Sequence, residues 1–304
     1  MVELFFGTVT IAAAIRLAVP LVLSSVGGCF GDRAGIFNIA LESFMLCAAF
    51  FATLGTYCTA NPYFGIICGI LAGLTCALLF GIFVFHFGSS GMVVSIAMNL
   101  GMDAFTSFLL LTIFGKRGSF MDERLVSIPD INIPIISELP YIGEVLNGQN
   151  IMVYLTIVLA VAAWLLMYKM PFGLRVRSVG MNEKAAQTAG INILKYKWYS
   201  VLLTGLFCGL AGAILPLGGT SIFTENMTAG RGFLAVAAIM IAGGNPIKAA
   251  IVGFMFAYAE VIAASMQNFG IPSQIVLSFP YFITIFVLLI SAVCTKIRKK
   301  VVKI

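Results

Sequence analysis

The sequence predicts an all-α, polytopic integral membrane protein, and three observations support that prediction. Of its 304 residues, 61% are hydrophobic and only 10% are charged, whereas about a quarter of an ordinary soluble domain is charged. The apolar residues form long runs, and a spanning helix needs about 20 of them in succession. The 31 glycines fit this class, because small residues let membrane helices approach closely. We expect about nine transmembrane helices, within a range of eight to ten, in a single domain of residues 1–304.

Glycines, prolines and charge clusters divide the chain into nine apolar segments. Eight of them are long enough to cross a bilayer. The segment 230–243 is short and has glycines at both ends, which predicts a broken or half-length helix at depth in the membrane. The segments are 4–26, 36–56, 62–87, 91–114, 151–169, 198–217, 230–243, 247–267 and 275–295.

The distribution of charge predicts the orientation of the chain. Eleven of the 18 basic residues lie in the loop 169–197 and in the C-terminal tail, while the loop 115–150 has a net charge of −2. Because basic residues are enriched on the cytoplasmic side of membrane helices, we expect 169–197 inside the cell and 115–150 outside. Orientation beside membrane lipid also explains the formal charge of +6, so no nucleic-acid partner is expected.

Signatures of enzymes are missing from the sequence. There is no G-x-x-x-x-G-K-[ST] phosphate loop, so the chain itself should not hydrolyse nucleotide. His86 is the single histidine, which excludes an H-E-x-x-H zinc site, and residues 88–92 fail the G-x-S-x-G pattern. The seven cysteines are scattered and indicate no disulfide framework. We expect no catalytic residue, no metal and no cofactor in this chain.

Polar residues within apolar helices are the first candidates for a functional role. Asn38 and Glu42 lie four residues apart on one helical face, and Asn99 and Asp103 repeat that spacing. A charge in the middle of the membrane costs about 2.5–3.5 kcal/mol, so Glu42 should face protein or a water-filled cavity. Two interpretations stay open: a hydrogen-bonded lock between helices, or a role in a translocation route. Two further lone charges lie in apolar runs: Arg16 and Glu260.

The basic loop contains signals for a short helix. Asn182 is a good N-cap, Glu183 complements the helix dipole, and Gly190 is a natural C-terminal cap. A helix of about two turns is marginal alone and must rest on something. Its small side chains would let it enter a groove on a partner, and the alternative is packing on the chain's own membrane domain. These side chains are Ala185, Ala186 and Ala189.

Three short motifs occur in order along the chain. Residues 35–42 (GIFNIALE) resemble a G-x-x-N-I-G-x-E-G signature, with Ala40 in place of a glycine. Residues 171–191 (PFGLRVRSVGMNEKAAQTAGI) are similar to a P-F-G-x-x-x-R-x-x-G-x-N-x-x-A-A-x-x-x-G-I coupling loop. The pair 230–233 (GRGF) and 243–246 (GGNP) is similar to a G-R-G-F…G-x-x-N-P segment. Over nearly its whole length, the chain thus resembles the permease subunits of bacterial ABC importers for nucleosides, simple sugars and branched-chain amino acids.

This resemblance implies the function and the partners. The helix 182–190 would be a coupling helix that docks onto a separate cytoplasmic ABC ATPase, which binds the ATP. A second permease subunit, a different chain in the nucleoside branch, and an extracytoplasmic substrate-binding protein would complete a transporter of the bacterial cytoplasmic membrane. The expected substrate is a nucleoside or related ribosyl compound, with sugars, riboflavin-like molecules and autoinducers still open. The candidate pathway residues are Asn38, Glu42, Asn99, Asp103, Arg231 and Phe233.

Two transport mechanisms of other classes remain as alternatives. An ion-coupled secondary transporter would use the intramembrane carboxylates of Glu42, Asp103 or Glu260 and would need no ATPase. A passive channel would have no reason for a capped cytoplasmic helix.

Overall fold

The computed structural model describes residues 7–131, 145 and 147–266, and within them the regular secondary structure is helical apart from two short β-ribbons. Seven of the described helices are long and apolar enough to cross a membrane, which confirms the predicted class. The helices are α1 (Thr8–Arg33), α2 (Leu41–Thr59), α3 (Pro62–Gly81), α4 (Gly91–Phe114), α5 (Ile151–Tyr168), α6 (Pro171–Met181), α7 (Glu183–Thr188), α8 (Ile193–Leu217), α9 (Arg231–Ala242) and α10 (Pro246–Met266). The predicted span 275–295, the basic tail and most of 132–146 lie outside the described residues.

The centre of the bundle is α8, which packs extensively on α1, α2 and α3, and α2 and α3 also pack on each other. Glycines set how closely these helices approach. A Cβ atom at Gly73 of α3 would lie 2.5 Å from the carbonyl oxygen of Gly205 in α8, and one at Gly212 would lie 2.1 Å from that of Met45 in α2. Backbone therefore touches backbone, as small residues permit in membranes. Thr204 adds a hydrogen bond from its Oγ1 to the carbonyl of Gly27, at 2.9 Å.

The remaining long helices lie around this centre. Helix α10 packs along α1, and α5 packs on both of them. Helix α4 contacts mainly α2 and leaves most of its surface exposed.

The two ends of the bundle differ. At one end, β1 (Ser119–Met121) pairs antiparallel with β4 (Ile222–Thr224), over an aromatic cluster in which the rings of Phe114 and Phe120 stack at 3.9 Å. A second ribbon pairs β2 (Asp130–Ile131) with β3 (Gln149–Asn150). The opposite end carries α6 and α7, and we call it the α6–α7 end.

The structure corrects two predicted elements and agrees with a third. Helix α2 begins at Leu41 rather than at 36, since residues 34–40 are not helical. The predicted loop 169–197 contains the additional helix α6, which begins with Pro171 at its first position. The short segment 230–243 is indeed a separate helix, α9, with residues of positive φ at both ends.

Candidate functional site

Helix α9 begins deep inside the bundle. The guanidinium of Arg231, its first residue, lies 2.6 Å from the carboxylate of Glu260 in α10. Glu260 follows Pro246, the start of α10, by 14 residues, which is about 21 Å at 1.5 Å per residue. This rise is shorter than the thickness of a hydrocarbon core, about 30 Å. The pair also gives a partner to Glu260, one of the two lone charges in the sequence.

Glu42 joins the starts of two helices. Its Oε1 accepts a hydrogen bond from the backbone N–H of Gly230 at 2.8 Å, and its Oε2 accepts one from Gly232 at 2.6 Å. Only 7% of the residue is exposed, and a carboxylate at a helix N-terminus is favourable. A Cβ at Gly232 would lie 2.4 Å from the Glu42 nitrogen, so glycine is needed here. These contacts favour the interpretation of Glu42 as a lock between helices.

The irregular segment 34–40 is held by polar side chains of α4. Asn99 accepts from the Ser43 N–H and donates to the Ile39 carbonyl, both at 3.1 Å. The Oγ of Ser95 accepts from the Ile39 N–H at 3.0 Å, and Asn38 Oδ1 accepts from the N–H of residue 40 at 2.7 Å. Asn38 and Asn99 thus both form hydrogen bonds to the backbone of the same short segment. Sequence reasoning missed Ser95, although it lies one helical turn before Asn99 on the same face.

Asp103 stands apart from this network. It is exposed on α4, and no hydrogen bond or ion pair joins its carboxylate to the residues that the structure describes. The candidate Phe233 is also open, with 46% of the residue exposed, and so is Phe37, which was not a candidate, with 54% exposed. The structure therefore divides the predicted residues into engaged side chains (Asn38, Glu42, Asn99, Arg231) and open ones (Asp103, Phe233).

Arg16 belongs to the end that carries the β-ribbons. Its Nε donates to Gln149 Oε1 at 2.8 Å and its Nη2 to the Gly148 carbonyl at 2.6 Å, while Asp130 lies 3.8 Å away. Arg16 thus links α1 to the segment before α5.

The predicted short helix in the basic loop is present as α7. Asn182 caps it by accepting from the Ala185 N–H at 3.1 Å, and Gly190 follows it with φ +77°. Glu183 forms a 2.6 Å ion pair with Lys197 at the start of α8. The expectation that Ala186 offers its side chain to a partner is wrong, because it is 3% exposed and packs into the chain's own core.

Every other residue of α7 and its flanks is exposed: Met181, Asn182, Glu183, Lys184, Ala185, Gln187, Thr188, Ala189 and Gly190. Among the described residues, no group of three or more His, Cys, Asp or Glu side chains is placed to hold a metal ion.

Comparisons with known proteins identify the family. A family model described as the permease component of branched-chain amino acid transport systems matches residues 10–291. The chain is 33% identical over 291 residues to the nucleoside ABC transporter permease protein NupC of Lactococcus lactis, covering 92% of this chain and 91% of the relative. It is 31% identical over 295 residues to the guanosine ABC transporter permease protein NupQ of Bacillus subtilis, again covering 92% and 91%.

Among solved structures, PsaBC from Streptococcus pneumoniae in complex with Fab is similar in fold, with a TM-score of 0.52 and 15% identity over 96% of this chain and 95% of that chain. The resemblance that the three motifs indicated is confirmed. The chain belongs to the family of permease components of branched-chain amino acid transport systems, and it is a multi-pass membrane translocation subunit of an ABC importer.

Proposed function

We propose that this permease forms one half of a translocation pathway for a nucleoside, with the face of α4 around Asp103 lining that pathway. The observation that supports the proposal is an exposed carboxylate, the one charged side chain of the membrane helix α4. A charge facing lipid costs about 2.5–3.5 kcal/mol on insertion scales, and intramembrane charges usually face a bundle interior or a water-filled cavity. Asp103 has neither within the described chain, so its face should meet water, substrate or a second subunit.

The substrate class follows from the relatives and from the chemistry of this face. The two relatives described above are named for nucleosides and for guanosine. A nucleoside offers ribose hydroxyls and base N–H groups as donors, which a carboxylate accepts. Exposed Phe37 and Phe233 could receive the apolar face of a base, because aromatic rings stack on bases without regard to sequence.

The same arrangement suggests where the partners bind. The exposed side of α7, together with Met181 at the end of α6, which is 86% exposed, is the surface for a separate ABC ATPase. The open face of α4 is the surface for a second permease subunit. If the α6–α7 end is cytoplasmic, as the basic loop predicts, the end with the β-ribbons faces an extracytoplasmic substrate-binding protein. The loop 115–150 and the coupling loop 169–197 then lie on opposite sides of the membrane.

Uptake of radiolabelled nucleosides into proteoliposomes that contain the purified importer tests the proposal. Asp103→Asn should lower uptake about tenfold or more without lowering the yield of assembled complex, because an amide replaces the charge that faces the pathway. Thr112→Val is the matched control: Thr112 is also exposed on α4, but its hydroxyl bonds to the Phe108 carbonyl of its own helix. Equal uptake by the Asp103→Asn variant and the parent would contradict the role of this face.

The energy source separates the importer from the ion-coupled alternative. Glu42 and Glu260 are already engaged by two N–H groups and by Arg231, which leaves Asp103 as the carboxylate open to an ion. Uptake should require both ATP and the ATPase subunit. It should persist when a protonophore collapses the proton gradient. Uptake that needs no ATPase and stops with the protonophore would overturn the proposal.

A further inference from the structure

We propose that the segment 33–42 and helix α9 move as one unit, and that α6 is the element that moves it. This inference rests on the proposed function, because it requires an ATPase at the α6–α7 end. Arg33 thereby becomes a positioning residue for transport: it acts on α9 rather than on the substrate.

The segment 33–42 holds α9 at both of its ends. At the N-terminal end, the Glu42 carboxylate receives the two N–H groups described above. At the C-terminal end, Arg33 Nε donates to the Gly244 carbonyl at 3.1 Å, and its Nη2 donates to the Gly243 carbonyl. An anion at the N-terminus and a cation at the C-terminus both complement the helix dipole. The twelve-residue helix, about 18 Å long, is therefore clamped by one continuous stretch of chain.

Helix α9 has the features of an element that can move as a separate rigid body. Residues with left-handed backbone angles flank it, at φ +82° for Gly230 and at +57° and +66° for Gly243 and Gly244. Such short non-helical positions are where large changes of φ and ψ can be absorbed. Its only charged residue, Arg231, is paired across to α10, and the rest of the helix is apolar.

Helix α6 touches this unit through backbone. A Cβ at Gly180 would lie 2.1 Å from the Arg33 carbonyl oxygen and 2.9 Å from the Gly35 nitrogen. Because no flexible side chain separates α6 from the turn after α1, a displacement of α6 cannot be absorbed by a change of rotamer.

A second contact runs through aromatic and cationic side chains. The guanidinium of Arg177 in α6 lies over the ring of Tyr168, 4.8 Å from its centroid. The hydroxyl of Tyr168 accepts a hydrogen bond from Arg33 Nη2 at 3.3 Å. Both routes from α6 therefore end on Arg33, at the C-terminal end of α9. Helix α7 is joined to α6 through Asn182, so a partner docked on α7 would act on α9 through α6.

Spin-label distances in the complete importer, purified with its ATPase, test this coupling. With the native cysteines replaced, labels at Lys184→Cys in α7 and at Met240→Cys in α9 are each paired with one at Tyr63→Cys on α3. In the parent, ATP with vanadate should change both distances. In Arg33→Ala, the distance from α7 to α3 should still change, but the distance from α9 to α3 should no longer do so. Uptake per ATP hydrolysed should fall about tenfold.

A second variant keeps the test decisive if Arg33→Ala assembles poorly. Gly180→Ala leaves Arg33 and α9 intact but forces α6 away from the turn, and it should also remove only the α9 change. Ser178→Ala, on the same helix with a hydroxyl bonded to its own carbonyls, should behave as the parent. An α9 distance that changes as in the parent in either Arg33→Ala or Gly180→Ala would overturn the inference. Absence of any α7 change in the parent would instead refute the proposed docking of the ATPase.

Discussion

Replacing the Glu42 carboxylate tests whether it locks the starts of α2 and α9 together. In Glu42→Gln, the amide keeps one acceptor oxygen but places an NH2 group against the second backbone N–H. One charge-assisted hydrogen bond is lost and the other becomes neutral. Since a hydrogen bond to a charged group contributes about 1.5–3 kcal/mol, and an orphaned buried donor costs about 1–3 kcal/mol, we expect a loss of roughly 3–4 kcal/mol in unfolding free energy.

Equilibrium unfolding in mixed detergent micelles measures this loss, with uptake in proteoliposomes measured on the same preparations. Glu225→Gln is the matched control: its Oε1 also accepts a backbone N–H, that of Gly118 at 2.9 Å, but on the exposed surface. There the change should stay below about 1 kcal/mol.

The expected pattern for Glu42→Gln is therefore parallel loss of stability and transport. A variant that keeps the parent's unfolding free energy but loses uptake would refute the lock and return Glu42 to a direct role in the pathway.

Three further perturbations follow from the contacts. Gly232→Ala should lower the unfolding free energy by about 3 kcal/mol, because its Cβ would meet the backbone of α2; an unchanged value would mean that α9 does not start against α2. Ala186→Trp should reduce the yield of folded chain, whereas Ala185→Trp, exposed on the same helix, should keep the yield and lower ATPase co-purification. Cysteine at Met121 should react with an impermeant reagent on intact cells and cysteine at Lys184 only after permeabilisation, and the reverse pattern would invert the predicted orientation.

Local rules predicted the parts of the fold that depend on neighbours in sequence. The cap at Asn182 follows from a side chain that reaches an N–H three residues ahead, and the structure has that bond. The lengths of the apolar runs predicted the membrane spans, because the length of a run also depends only on neighbours in sequence. Helix α6 had its own local signal in Pro171, which fits the first position of a helix, but the basic residues around it favoured a loop.

The site depends on partners that are distant in sequence, and these could not be predicted. Glu42 was recognised as a costly charge, yet its partners are backbone groups 188 and 190 residues away, which no side-chain pattern indicates. Helix α2 starts late because Asn99 and Ser95, on another helix, bind the irregular backbone before it. Ala186 looked equivalent to Ala185 in the sequence, and only the packing of α7 decides which of them is buried.

The backbone contact between α3 and α8 has a consequence for how the protein is made. Helix α3 ends at Gly81 and α8 begins at Ile193, so about 110 residues are synthesised between them. At about 5–20 residues per second, the side of α3 that carries Gly73 lies in the membrane for roughly 6–20 s before the ribosome reaches α8, the helix that covers it. During biogenesis that face is open to lipid or to an insertion factor, and it is the surface on which a stalled nascent chain would be exposed to quality-control proteases.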